Sequence, residues 1–322
     1  MTSSVCIVGH GSRDPEGTSE FMRLVELFGE HEPSRIVECG FLEFARPMIQ
    51  EGLDRCVERG AKSVVVLPGM LMAAGHSKND IPSEIHEARR RHPGVDFRYG
   101  RHLHLHHKII DLCRLRIEGA EAQARAHGRD DTLLLVVGRG SSDPDSNSDI
   151  QKLTRILWEG LGFGWGATCF SGVTSPLVPE ALERCHRMGF GRIVVFPFFL
   201  FTGVLEKRIR RQTAEFAALH PEAEFLSADY LKPDPLLFDV FLERASETVH
   251  GSPNMNCELC KYRVRLPGHE DAVGAPQVGH HHHVRGIGQD DGHDHGHHYD
   301  HHDHHHHHHH HHHDHNGGNH GR

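Results

Sequence analysis

Three residues in the first half of this chain have the types and surroundings to handle a metal ion and protons: His10, Glu43 and His76. His10 sits in Gly9-His10-Gly11-Ser12, directly after the apolar run Val5–Val8. Glu43 follows Ile36–Phe41, and His76 follows Ser63–Leu67 and the small loop Ala73-Ala74-Gly75. If those runs are parallel strands, all three residues emerge at the carboxyl edge of one sheet, where open α/β sheets bind ligands. Two imidazoles and a carboxylate suit a borderline divalent ion such as Co²⁺, Fe²⁺, Ni²⁺ or Zn²⁺. The same groups accept protons. The glycines beside His10 permit a sharp turn and close approach to a ligand. Ser12 and Asp14 read as anion contacts or as caps of the next helix. Taken singly, each of the three reads better as an ordinary residue: a loop imidazole with one hydrogen bond, or for Glu43 a solvated charge.

A repeat separates the two readings. Val8–Pro15 returns as Val137–Pro144, an offset of 129. Leu67–Leu71 returns as Phe196–Leu200, and Leu53, Arg55, Cys56 and Gly60 return as Leu182, Arg184, Cys185 and Gly189. At the same offset His10 becomes Arg139, Glu43 becomes Gly172 and His76 becomes Leu205. A fold copied without its reactive groups implies one working site and one supporting copy.

The elements that must position these groups alternate between strand and helix. In the first half, strands are expected at Val5–Val8, Ile36–Phe41, Ser63–Leu67 and Asp96–Tyr99. Helices are expected over Glu20–Phe28, Pro47–Arg59, Ile81–Arg91 and Lys108–Glu118. The second half repeats the order, with strands Leu133–Val137, Ala167–Gly172, Arg192–Pro197 and Glu224–Ala228. Its helices are Asp149–Gly160, Pro179–Met188, Leu205–Leu219 and Pro235–Val249. This alternation predicts an α/β fold: two duplicated domains with central parallel sheets covered by helices. The expected division is 1–125 (catalytic), 126–250 (degenerate copy, cleft wall), 251–268 (a CxxC segment) and 269–322 (a His-rich tail).

Two further groups of ligand-type residues stand out. His102, His104 and His106 would share a face if their segment were extended, with His107 beside them; a polar loop is the competing reading. Cys257 and Cys260 form a CxxC. One pair falls short of the four thiolates of an iron–sulfur cluster or structural zinc. Two chains of a dimer would supply four, and a redox dithiol is the other reading. The tail interleaves His293, His295, His297, His298, His301 and His302 with Gly and Asp before an unbroken run at His304–His313. It has almost nothing to bury, so disorder without metal is expected. The flanking interleaved histidines and Asp314–Arg322 favour a native metal-binding tail over an appended tag.

The 322 residues and formal charge of −9 argue against some function classes. No Lys/Arg block or aromatic stacking pattern suggests nucleic acid. No run approaches the roughly 20 apolar residues of a membrane span. Met1-Thr2-Ser3-Ser4 leads straight into a strand-like run, which predicts no secretory signal. Eight scattered cysteines fit free thiols in a reducing, cytoplasmic setting.

The His10 turn, Phe41-Leu42-Glu43, the Gly75-His76 loop, the duplication and the tail together resemble one family over nearly the whole chain. They resemble the long form of the CbiX-type sirohydrochlorin cobaltochelatases, of the class II (ATP-independent) chelatases. Arg139–Pro144, Pro197–Leu205 and the Met255-x-Cys257-x-x-Cys260 motif match its long members. The resemblance implies a lyase that inserts Co²⁺ into sirohydrochlorin or precorrin-2 in anaerobic cobalamin biosynthesis. His10 and His76 would be the catalytic, metal-binding pair, with Glu43 as a supporting acid/base. It also implies an iron–sulfur centre at Cys257 and Cys260, and a tail that holds Co²⁺, Ni²⁺ or Zn²⁺ around His293–His304. Short members pair as homodimers; this chain would be such a pair fused, and a dimer of the fused chain remains open. Arg13, Arg46, Arg139, Lys207 and Arg208 are candidate partners for the carboxylates of the ring. The competing activities are iron insertion for sirohaem, nickel insertion, or metal storage and delivery through the tail. A storage protein would need the tail but not His10, Glu43 and His76.

Overall fold

The computed structural model describes residues 3–251, 253, 260–265 and 269–275. In the first half, β1 (Ser3–Gly9), α1 (Pro15–His31), β2 (Ile36–Phe41), α2 (Ile49–Glu58) and β3 (Ser63–Pro68) follow one another. A π-helical turn, His76–Asp80, then runs into α3 (Ile81–Arg91), followed by β4 (Asp96–Tyr99) and α4 (His107–Ala122). The second half supplies β5 (Thr132–Gly138), α5 (Pro144–Leu161), β6 (Trp165–Phe170), α6 (Val178–His186) and β7 (Arg192–Pro197). It ends in α7 (Val204–Leu219), β8 (Glu224–Ser227) and α8 (Pro235–His250). The strands form two four-stranded sheets, ordered β2-β1-β3-β4 and β6-β5-β7-β8. Every pairing is parallel, as expected of near-continuous apolar strands covered on both faces.

Local sequence explains the helix starts. Asp14-Pro15, Asp143-Pro144 and Asp234-Pro235 each place a capping carboxylate before a proline whose fixed φ suits the first turn. The helix expected from Pro47 instead begins at Ile49. Pro47 follows a cis bond from Arg46, and its carbonyl accepts from Phe41 N–H, so it closes a loop. The expected start at Lys108 moves to His107, because His106 takes the capping position and accepts from Lys108 N–H. Ser171 and Gly172 lie beyond the end of β6, in the turn that follows it.

Alternation along the central strands divides the interior. Val5 and Ile7 of β1, like Leu134 and Val136 of β5, face a core shared by both halves. Cys6 and Val8 face a core belonging to the first half, and Leu133, Leu135 and Val137 face one belonging to the second. The shared core exists because the last helices are exchanged. α4 packs on α5 and β8 of the second half, whereas α8 packs on β3 and β4 of the first. Phe238 and Phe241 of α8 meet Phe28 of α1 at ring separations of 6.3 and 5.9 Å. Among the described residues, no helix is long and apolar enough to cross a membrane.

Candidate functional site

The ends of β1, β2 and β3 bring His10, Glu43 and His76 together. Gly9 pairs with Phe41 and Val8 with Pro68, so the three strands finish side by side. Glu43 N–H donates to the His10 carbonyl at 3.0 Å, stitching the two loops. Gly11 makes that stitch possible. Its φ of +93 disfavours a side chain, and a Cβ there would stand 1.7 Å from the Glu43 carbonyl oxygen. Gly140 has the same constraint, φ +85 and 1.9 Å to the Gly172 carbonyl oxygen. The turn is therefore preserved in both halves, while its chemistry stands in one.

His10 Nε2 lies 3.2 Å from His76 Nε2 and 3.1 Å from Glu43 Oε1. Glu43 is buried and the two imidazoles are half-buried. His10 Nδ1 is 3.0 Å from the Gly11 carbonyl, and His76 Nδ1 is 2.7 Å from Asp80 Oδ2. Those acceptors assign the proton to Nδ1 in each neutral ring, which leaves both Nε2 lone pairs facing the Glu43 carboxylate. Three electron-rich atoms in one place require a cation or a proton between them. With all three ligand atoms within 4.8 Å of one another, the site matches a divalent ion that keeps positions open for a further ligand.

Asp80 was not picked out by sequence reasoning. It lies four residues after His76 and so on the same helical face, but the helix was expected to begin only at Ile81. The π-helical turn at His76–Asp80 extends it backwards and turns His76 toward His10. Such turns occur often at functional sites. An imidazole whose far nitrogen donates to a buried carboxylate is held in one tautomer and made a better metal ligand.

These groups open into a cleft of about 480 Å³ between the halves. Its walls are largely apolar: Phe44, Met70 and Leu71 on one side, Phe198 to Phe201 on the other. Arg13 lies 4.9 Å over the Phe44 ring, and Arg139 faces the cleft from the second half. Loss of solvation lowers the Arg139 pKa from its ordinary range, opposed by the charge of Glu43. The other three basic candidates are engaged elsewhere: Arg46 with Glu51, Lys207 with Asp14 and Glu16, and Arg208 with the Ser171 carbonyl. Hydrogen bonds donated by Lys207 to Asp14 and Glu16 push its pKa up to about 12, against a small opposing loss of solvation.

The Lys207 clamp has a buried twin beside the site. Lys78, in the His76 turn, donates at 2.9 Å to Asp143 and at 2.9 Å to Asp145 of the second half. All three side chains are almost wholly buried. Burial disfavours the charge of Lys78, but the two carboxylates more than offset this and raise its pKa. Lys78, Asp143 and Asp145 stand where the other half has Lys207, Asp14 and Glu16, so one device crosses the seam twice.

The histidines at 102–107 do not share a face. His104 has φ +59, which breaks the alternation, and His106 turns to Glu243 at 2.7 Å. His107 is exposed at the start of α4, whereas His102 and His104 approach Asp149 of α5. Cys260 is buried, and the segment after it passes the His76 loop: a Cβ on Gly75 would lie 3.5 Å from Tyr262 Oη. Cys257, His293, His295, His297, His298 and His304 lie outside the described residues.

Comparison with known proteins agrees with the duplicated architecture. The CbiX family model matches twice, over residues 4–120 and 133–248. A sirohydrochlorin cobaltochelatase of Priestia megaterium is 43% identical over 83% of this chain and 87% of its own length. A sirohydrochlorin ferrochelatase of the same organism is 33% identical over 71% of this chain and 84% of its own. The solved structure of SirB from Bacillus subtilis with Fe³⁺ superposes with a TM-score of 0.68 at 28% identity, covering 78% of this chain and 96% of that one. With both halves matched by one family model and near relatives aligned along most of its length, the chain belongs to the CbiX family.

Proposed function

We propose that this chain is a sirohydrochlorin chelatase that inserts Co²⁺ into sirohydrochlorin or precorrin-2, acting without ATP as a lyase of the chelatase type. The observation that carries this reading is the convergence of His10 Nε2, His76 Nε2 and Glu43 Oε1 at the end of an apolar cleft. A tetrapyrrole is a flat disc with an apolar body and anionic rim. Phe44 and Phe198 to Phe201 suit the body, and Arg13 and Arg139 suit carboxylates at the rim. Insertion exchanges two pyrrole protons for one divalent ion. The ion, delivered as substrate, is held by two imidazoles and a carboxylate and completes its coordination with pyrrole nitrogens. As it leaves the imidazoles, the freed Nε2 atoms become acceptors for the two protons. Asp80 stabilises the imidazolium that forms at His76.

Cobalt is favoured because, of the two Priestia megaterium enzymes, the cobaltochelatase is the more similar, 43% against 33% identical. Iron is the second reading, supported by that ferrochelatase; SirB of Bacillus subtilis is solved both with Fe³⁺ and with cobalt and favours neither. The donor set itself does not separate these ions, whose affinities follow a generic order. Following the loss of the free-ring absorption with Co²⁺, Fe²⁺ and Ni²⁺ in turn decides between them. Co²⁺ is expected to give the highest kcat/KM; faster insertion of Fe²⁺ overturns the cobalt assignment.

Residues 1–125 carry the reaction and 126–250 form the facing wall. The histidines from His293 to His304 hold ions for delivery, and the thiol-rich interior fits a cytoplasmic setting. Six cysteines are buried in the domain cores. Cys257 and Cys260 alone therefore fall short of four-thiolate ligation, and an iron–sulfur centre would need a second chain. No step of the insertion uses one.

A further inference from the structure

We propose that His102, His104 and Asp149 form a second divalent-metal site that bridges the two halves of the chain. The three residues offer ligand atoms within 4.8 Å of one another. His104 Nε2 already lies 3.2 Å from Asp149 Oδ2, a normal separation for two ligands of one ion. His102 stands edge-on to His104, with ring centroids 5.0 Å apart. Neither ring nitrogen of His102 finds a hydrogen-bond partner among the described residues, although the side chain is 2% exposed. Buried polar atoms in folded proteins are almost always satisfied, and an exception calls for a group that satisfies it. Burial also holds this imidazole well below its usual pKa, helped by His104 and nearby cations, so it stays neutral and keeps a lone pair for an ion.

The duplicated half shows what the position looks like when no ion is needed. Leu103 N–H donates to the Met70 carbonyl, and Leu231 N–H donates to the Phe199 carbonyl. That equivalence pairs His102 with Tyr230 and His104 with Lys232, both of the latter at positive φ. Asp149 in α5 matches Glu20 in α1. There the contact is closed by ordinary hydrogen bonds: Tyr230 donates to Glu20 at 2.6 Å, and Thr202 N–H donates to its other oxygen at 2.8 Å. In the first half a shorter carboxylate and two imidazoles replace that closed pair. An amine cation has given way to a ligand, and a phenol donor to an unpartnered ring. The set selects borderline divalent ions such as Zn²⁺, Ni²⁺ or Co²⁺ over Mg²⁺ or Ca²⁺, which prefer oxygen. It is separate from the His10–Glu43–His76 group, and its occupancy does not depend on the activity assigned to that group.

The test uses the full chain carrying His10→Ala and His76→Ala, which removes the cleft site. Thermal unfolding is followed with and without Zn²⁺. An ion that links α5 to the segment before α4 is expected to raise the midpoint by roughly 5–10 °C at a hundredfold excess over its Kd. Adding Asp149→Asn is expected to remove that rise. Anomalous diffraction from crystals of the double variant soaked in Co²⁺ provides the second measurement, with a peak between the two imidazoles and Asp149. A Zn²⁺ effect undiminished by Asp149→Asn, or no peak there at saturating Co²⁺, overturns the proposal.

Discussion

His76→Ala is expected to lower the rate of metal insertion by about 10²–10⁴-fold, the range associated with removing a positioned acid/base group. The substitution deletes one of three converging donors and one of two proton acceptors together. Nothing in the second half replaces it, because its equivalent is Leu205. The side chain is half-buried at the cleft, so circular dichroism and the unfolding midpoint should change little. The measurement is the decay of the sirohydrochlorin absorption under saturating Co²⁺; turnover equal to that of the unaltered chain would sink the assignment. Asp80→Asn should fall between the two. It keeps the ligand but removes the carboxylate that fixes its tautomer, a loss of roughly 10–100-fold in affinity or activity, felt chiefly in KM for the metal.

Lys78→Met should cost the fold about 3–5 kcal/mol, because it takes a buried ammonium away from two buried carboxylates, Asp143 and Asp145. At 2–4 °C per kcal/mol for a protein of this size, the midpoint falls by about 6–20 °C. The comparison variant is Lys207→Met. Its ion pairs are equivalent in position but reach solvent, so a much smaller change is expected. Equal losses in the two variants would refute the claim that burial sets the difference. The sign with pH is also fixed. The folded pKa of Lys78 is raised, so its contribution is complete below the ordinary lysine value near 10.5 and fades only as pH rises through the folded value. The contribution of Lys78 itself to the unaltered chain should therefore be flat across neutral pH.

Much of this was legible in the chain itself. Apolar runs of four to six residues broken by Gly or Pro gave the strands, and the offset of 129 separated scaffold from chemistry. His10, Glu43 and His76 could be grouped because a parallel sheet carries all its strand ends to one edge. The helix exchange was not legible, since α4 and α8 present the same apolar periodicity whichever sheet they cover. Asp80 was missed because its link to His76 depends on a π-helical turn, which leaves no compositional mark. Lys78 was not singled out, because only the meeting of the halves buries it. The histidines at 102–106 were grouped by alternation, and the positive φ at His104 showed that this period does not hold there.

The exchanged helices carry a historical consequence. One half by itself, with its last helix placed as here, would expose the sheet face that the other half's last helix covers, so each copy needs the other to close its core. In such a symmetric pair, every inherited change struck both copies at once, and neither could drop its histidines while the other kept them. Two copies with separate sequences, as the halves of this chain are, escape that constraint. Arg139, Gly172 and Leu205 are changes that one copy carries while the other keeps His10, Glu43 and His76, an asymmetry open only to copies with separate sequences.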